Sequence, residues 1–135
     1  MTALLQTLRK RAQFLFVRDG VRASKPSVSV EARRRTSAGP IGIGYTASRK
    51  VGGAVSRNRA KRRLREAARR LLPGLGLPGV DYVLVARPAT VEADWAGLLD
   101  DLQNALIRLA ADVDSGRPQR RKSRSSGQIP PTESE

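Results

Sequence analysis

The sequence predicts an α+β fold, a two-layer sandwich with one sheet on one side and helices on the other. Three observations carry this expectation. Apolar residues recur at helical spacing in three separate stretches. Runs of strand length, alternating or continuously apolar, lie between them. Breaks rich in Gly and Pro divide the two kinds of segment. The resulting order is helix, two or three strands, helix, strand, helix, with the second and third helices packed on the sheet.

Each element has its own warrant. Leu4, Leu5, Leu8, Ala12, Leu15 and Phe16 recur at helix spacing, which predicts a first helix over Leu4–Arg18, stopped by Asp19-Gly20. Val28, Val30 and Ala32 alternate with Ser27, Ser29 and Glu31, the pattern of a half-buried strand. After the charged turn Arg33–Pro40, Ile41, Ile43, Tyr45 and Ala47 alternate with Gly42, Gly44, Thr46 and Ser48. The second face of that strand is small and polar, which suits a ligand groove as well as plain solvent exposure. Gly52-Gly53 interrupts the pattern, and a helix is expected from Ala54 to Leu72, followed by a loop over Pro73–Gly79. Asp81–Arg87 reads as a short buried strand ended by Pro88. Trp95, Leu98, Leu99, Leu102, Leu106, Leu109 and Val113 trace one face of a last helix, with Glu92 and Asp94 near its positive N-terminus. Beyond Ser115 one bulky apolar residue remains, Ile129, too little to offset the entropy of ordering. The expected division is a domain over 1–114 and a disordered basic tail over 115–135.

Charge bounds the function. The chain has 135 residues, a formal charge of +14 and a pI of about 11.6. An excess of this size attracts nucleic acid or an anionic membrane. It is unevenly placed, because six of the twelve acids lie between Glu92 and Asp114, where Arg108 is the single base. There is no Cys and no His, which removes thiol nucleophiles, the commonest general base and the usual zinc ligands. Asp100 and Asp101 are adjacent and diverge on a helix, Asp112 and Asp114 do not pair either, and Ser56 has no His or nearby acid to activate it. No catalytic residue and no protein metal site are therefore expected. No apolar run approaches the ~20 residues of a membrane span, and no secretory signal is read at the N-terminus. A cytoplasmic location is the expectation.

The densest signal is Ser48–Arg70, SRKVGGAVSRNRAKRRLREAARR, with ten Lys or Arg against one acid, Glu66. On a helix, Ala60, Leu64, Ala67 and Leu71 share a narrow sector, while Asn58, Lys61, Arg62, Arg65 and Arg69 lie opposite. Arg59, Arg63 and Arg70 flank that side. Like charges at i,i+4, such as Lys61/Arg65 and Arg65/Arg69, repel by a few tenths of a kcal/mol each, a strain that phosphates would relieve. Arg suits phosphate better than Lys because its planar fork donates two bonds. Asn58 both donates and accepts, so it suits a base edge or a 2′-hydroxyl. Composition alone leaves an architectural or ribosomal RNA binder open beside a processing role.

The stretch from Gly44 to Ala67, GYTASRKVGGAVSRNRAKRRLREA, resembles the central signature of the bacterial ribonuclease P protein family. In that signature a strand ending in Ser and two basic residues leads through a Gly turn to an Arg-Asn-Arg helix, here Arg57, Asn58 and Arg59. LRKRAQF followed by Gly20 resembles the family's opening, and DYVLVAR with Leu98–Leu106 its close, so the likeness runs from about Leu8 to Leu109. The resemblance implies a sandwich of α-β-β-β-α-β-α order with a left-handed β-α-β crossover, shared with a ribosomal-protein domain. Pattern could not show that hand, since ~98% of such crossovers are right-handed.

The resemblance also implies an RNA-binding subunit that helps a catalytic RNA remove the 5′ leader from precursor tRNA. The RNA performs the cleavage with bound magnesium, and a monomeric protein, one per RNA, holds no cofactor tightly. Residue by residue, Arg57, Asn58, Arg59, Lys61, Arg62, Arg63, Arg65 and Arg69 would face the catalytic RNA. Phe14, Arg18, Thr46, Ser48, Arg49 and Lys50 would bind the single-stranded leader between the first helix and the sheet. Arg18 stands where the family commonly has a second aromatic, Ser27 and Ser29 where bulkier groups are common, and Gly53 where a larger polar residue is common.

Overall fold

The computed structural model describes residues 4–114, and the basic tail expected over 115–135 lies outside the described residues. The elements in order are β1 (Leu5–Thr7), α1 (Arg11–Arg18), β2 (Val21–Ser24), β3 (Val28–Arg34), β4 (Ile41–Thr46), α2 (Ala54–Leu75), β5 (Val80–Ala86) and α3 (Trp95–Asp112). Short 3-10 turns precede α2 at Arg49–Val51 and follow β5 at Pro88–Thr90. The five strands form one sheet in the order β1-β4-β5-β3-β2. β4 runs parallel to both β1 and β5, and β3 runs antiparallel to β5 and β2.

Alternation along β5 assigns the two faces of the sheet. Val80, Tyr82, Leu84 and Ala86 join the main core, together with Val28, Val30 and Ala32 of β3 and Ile41 and Ile43 of β4. Ala60, Leu64, Ala67, Ala68 and Leu72 of α2 and Leu98, Leu102, Ala105, Leu106 and Leu109 of α3 complete it. The apolar sectors expected of both helices are thus buried on the sheet, each fully buried Leu contributing about 1.5–3 kcal/mol. Val83 and Val85 point the other way, where Leu8, Phe14, Phe16 and Val17 form a second, smaller cluster under α1. The sandwich holds for α2, α3 and the sheet, and α1 adds a partial layer on the opposite face.

Two element readings need correction. The first helix does not start at Leu4, because Leu5–Thr7 pairs as a parallel edge strand with Ile41–Ile43. The Leu8 N–H donates to the Ile43 carbonyl at 2.8 Å, continuing that ladder. The helix begins only at Arg11, where the Gln13 side chain reaches back to accept from the Arg9 and Lys10 N–H groups at 2.8 and 2.9 Å. Helical spacing of the Leu residues concealed a tertiary pairing. β2, the hairpin partner of β3, supplies the third of the two or three strands expected between the first two helices. α2 continues through Pro73 to Leu75, since in the last turn a proline forfeits one N–H bond without breaking a helix interior.

Polar ties hold the connections. Ser27 donates its N–H and Oγ–H to Asp101 Oδ2 at 3.0 and 2.7 Å. The buried Thr90 hydroxyl donates to the Ser27 carbonyl at 2.6 Å and accepts from the Arg87 N–H at 2.8 Å. Asp81, buried on the α1 face, pairs with Arg35, which also donates to the Pro40 carbonyl at 2.8 Å.

Candidate nucleic-acid interface

The basic face begins at a backbone turn only glycine tolerates. Gly52 has φ 138°, and a Cβ there would stand 2.8 Å from the Ser56 side chain. Just before it, the Ser48 Oγ accepts from the Lys50 N–H at 3.3 Å. This turn aims α2 so that its apolar sector meets the sheet and its arginines face outward.

The structure divides those arginines by task. The Arg63 guanidinium turns inward and donates to the carbonyls of Thr90, Val91 and Ala93 at 2.7, 3.0 and 2.6 Å. It fastens the β5–α3 connection. Arg59 adds a bond to the Val91 carbonyl at 3.2 Å while its side chain stays largely exposed. Arg65 lies over the Tyr45 ring at 5.3 Å, and Arg69 pairs with Glu66 at 3.3 Å. Burial holds the Tyr45 phenol above its ordinary value, against the pull of Arg65 and Arg69, so the ring stays neutral. The side chains of Arg57, Asn58, Lys61 and Arg62 make no hydrogen bond or ion pair to another described residue, and Asn58 and Arg62 are exposed. Among the described residues, these have donors available to a ligand.

The second set of residues meets on the α1 face. Phe14 and Arg18 are four apart and share one side of α1. Phe14 lies directly over β4, where a Cβ on Gly44 would stand 2.7 Å from its ring. The small residue in the strand is what lets the ring approach. By register, Thr46, Val85, Ser29 and Ser24 form a row across β4, β5, β3 and β2. Ser24 and Ser29 share a hydrogen bond of 2.7 Å, and Arg22 Nε donates to Ser29 Oγ at 3.3 Å. The next row is Gly44, Val83, Glu31 and Arg22. Burial pushes the Glu31 carboxyl up, opposed by Arg22 at 3.8 Å and by Arg18. Arg33 closes the far end, stacked 4.3 Å from the Phe16 ring centroid and bonded to the Phe16 carbonyl at 3.1 Å.

Phe14, Arg18 and Thr46 thus share the α1 face, with Phe14 and Thr46 half-buried and Arg18 exposed. Ser48, Arg49 and Lys50 are exposed beyond the end of β4, in the turn that joins that strand to α2. Sequence reasoning named Ser29 here but missed Arg22, Ser24 and Glu31, which share this face with it. Glu31 carried a signal: it is a lone acid on the polar side of a predicted strand in a basic half of the chain. Among the described residues no three His, Cys, Asp or Glu side chains cluster closely enough to hold a metal ion, and no helix is long and apolar enough to cross a membrane.

Comparison with known proteins identifies the family. The family model described as Ribonuclease P matches residues 4–110. The ribonuclease P protein component of Caulobacter vibrioides is 50% identical over 116 residues, covering 85% of this chain and 78% of that one. That of Ruegeria pomeroyi is 52% identical over 110 residues, covering 79% and 88%. The solved ribonuclease P protein of Thermotoga maritima superposes with a TM-score of 0.65 at 29% identity, over 76% of this chain and 96% of its own. The Staphylococcus aureus protein, at 21% identity and TM-score 0.65, shares the fold. The matched span takes in every strand, α1, α2 and nearly all of α3, and over it the chain belongs to the ribonuclease P protein family.

Proposed function

We propose that this chain is the RNA-binding subunit of ribonuclease P, with two RNA surfaces on opposite faces of its sheet. The outer face of α2 takes the phosphates of the catalytic RNA through Arg57, Arg59, Lys61, Arg62, Arg65 and Arg69, with Asn58 at a base edge or 2′-hydroxyl. The cleft under α1 takes the 5′ leader of precursor tRNA, stacking a base on Phe14 and guiding the strand past Thr46, Ser48, Arg49 and Lys50 with Arg18 on a phosphate. Arg63 belongs to the first surface by position but spends most of its donors on the protein's own carbonyls.

The observation that supports this reading is that the outward cations of α2 and the Phe14 ring lie on opposite faces of one sheet. A single monomer can then hold the catalytic RNA and the leader at once. The chain has no His and no Cys, and on this reading cleavage belongs to the RNA and its magnesium, in the cytoplasm. The test is reconstitution. Full-length protein added to its catalytic RNA at low magnesium should restore accurate 5′ maturation of precursor tRNA, and protein freed of RNA should do nothing. Specific maturation by RNA-free protein, or no effect of the protein on the RNA at any magnesium concentration, would defeat the reading.

A further inference from the structure

Beside the outer face of α2 lies an open groove of about 430 Å³ lined by Arg62, Arg63, Arg65, Glu66, Arg69 and Trp95. Trp95 is the single tryptophan of the chain and the first residue of α3. It is half-buried, and Arg63 and Arg70 stand 5.8 and 5.6 Å from its ring centroid. Both distances are near the ~6 Å limit of cation–π contact, so the ring is only loosely covered. Arg63 is already fixed by three carbonyls, so a ligand meets a cation whose ordering cost is spent.

The acid in this groove sets its chemistry. Glu66 is the one acid of α2, and its carboxylate oxygens meet Arg69 and Arg70 at 3.3 and 3.5 Å, long pairs that leave acceptor capacity unused. A groove made for phosphate alone gains nothing from a carboxylate. A carboxylate beside an aromatic ring and cations fits a nucleobase whose edge donates two parallel N–H bonds, which among RNA bases is guanine through N1–H and its exocyclic amino group. We propose that this groove holds an unpaired guanine of RNA, its ring against Trp95, its donor edge on Glu66 and its flanking phosphates on Arg62 and Arg69. The inference rests on the reading of α2 as an RNA surface and names what that surface recognises.

Trp95 is its own reporter, because no other tryptophan emits and the leader cleft lies across the sheet. Full-length protein is titrated with the single-stranded pentanucleotides UUGUU, UUIUU and UUAUU while Trp95 fluorescence is followed. Inosine lacks the exocyclic amino group, and adenine lacks the paired donors. UUGUU should quench saturably and bind at least about fivefold more tightly than either other probe. In Glu66→Gln, which keeps the shape but not two acceptors, the three affinities should fall within about twofold of one another. Equal affinities in the native protein, unchanged Trp95 emission with every probe, or a guanine preference that survives Glu66→Gln would each overturn the site. Reconstitution reads out the underlying assignment separately. If maturation is restored while the probes bind alike, the guanine site alone fails. If the probes discriminate while reconstitution fails, the guanine site stands and the ribonuclease P reading does not.

Discussion

Beneath α2 and α3 the sheet is closed by aliphatic packing, with Leu64, Leu72, Leu98, Leu102, Leu106 and Leu109 all fully buried against it. Beneath α1 the same strands present Gly42, Gly44, Ser29, Glu31, Arg33 and Asp81, and the apolar cluster is small. One face is held by burial, which needs no particular angle or charge. The other is held by ion pairs and hydrogen bonds, which do. The contrast explains where ligand surfaces can exist. Because the inner side of α2 is fully satisfied by the core, its outer side can accumulate arginines without endangering the fold. Because the α1 face is underfilled, it keeps a floor of polar groups at which a strand can lie.

The largest effect should come from Asp81, the buried charge of the polar face. Asp81→Ala strands Arg35 and should cost about 3–5 kcal/mol of unfolding free energy, measured by urea denaturation. A loss below about 1 kcal/mol, the range of exposed pairs, would mean that the α1 face is as indifferent to charge as the other. Next is Phe14→Ala. The removed stacking platform should weaken binding of long-leader precursor tRNA to the holoenzyme by about tenfold or more, within the ~1–3 kcal/mol of a base–aromatic stack, and leave leaderless tRNA unchanged. Equal losses on both substrates, with folding intact by circular dichroism, would remove the leader from this cleft. Arg62→Ala should lower the magnitude of the salt slope for catalytic-RNA binding by roughly one unit without changing stability. Arg63→Ala should instead lower stability by releasing three carbonyls, and identical behaviour of the two variants would erase the division of labour on α2.

The smallest effect sharpens the contrast through pH. Burial holds the Glu31 carboxyl above its usual 4.5, so the folded chain binds that proton more tightly than the unfolded one. Its stabilising contribution is therefore full below pH 4.5 and lost as pH rises through the folded value. Glu31→Gln should be modestly more stable than the native chain at neutral pH, and the gap should close on acidification. A gap that widens in acid would mean that Arg22 and Arg18 outweigh burial in the cleft.

What could be read without coordinates follows the same divide. The apolar sectors of α2 and α3 and the alternation of β3, β4 and β5 reflect burial, and burial leaves a periodic trace. β1 was misread because Leu4, Leu5 and Leu8 satisfy a helical period as well as a strand edge, and only the partner at Ile41–Ile43 decides. β2 was expected only as a third strand without a range, because Arg22 and Ser24 interrupt a short segment whose pairing with β3 creates the strand. The arginines of α2 were visible as a class, but not that Arg63 faces three carbonyls some thirty residues away. Phe14 and Gly44 could each be suspected of lining a groove, while their direct apposition is a tertiary fact.

The strand order has a consequence for synthesis. β5 lies between β4 and β3, so two strands made early have no ladder with each other and wait for one made late. A ribosome that has completed β3, β4 and α2 has exposed the flanks of the sheet and its most cationic helix before residues 80–86 exist to join them. The turn at Ser27 waits longer still, for an acceptor 74 residues downstream on α3. Contacts of such long range slow folding, and here they also join the halves late: the β1–β4 and β2–β3 pairs can form early, but nothing links them until β5 is made. The domain closes only as its last helix emerges: α2 gains its complete sheet with β5 and its neighbour only with α3.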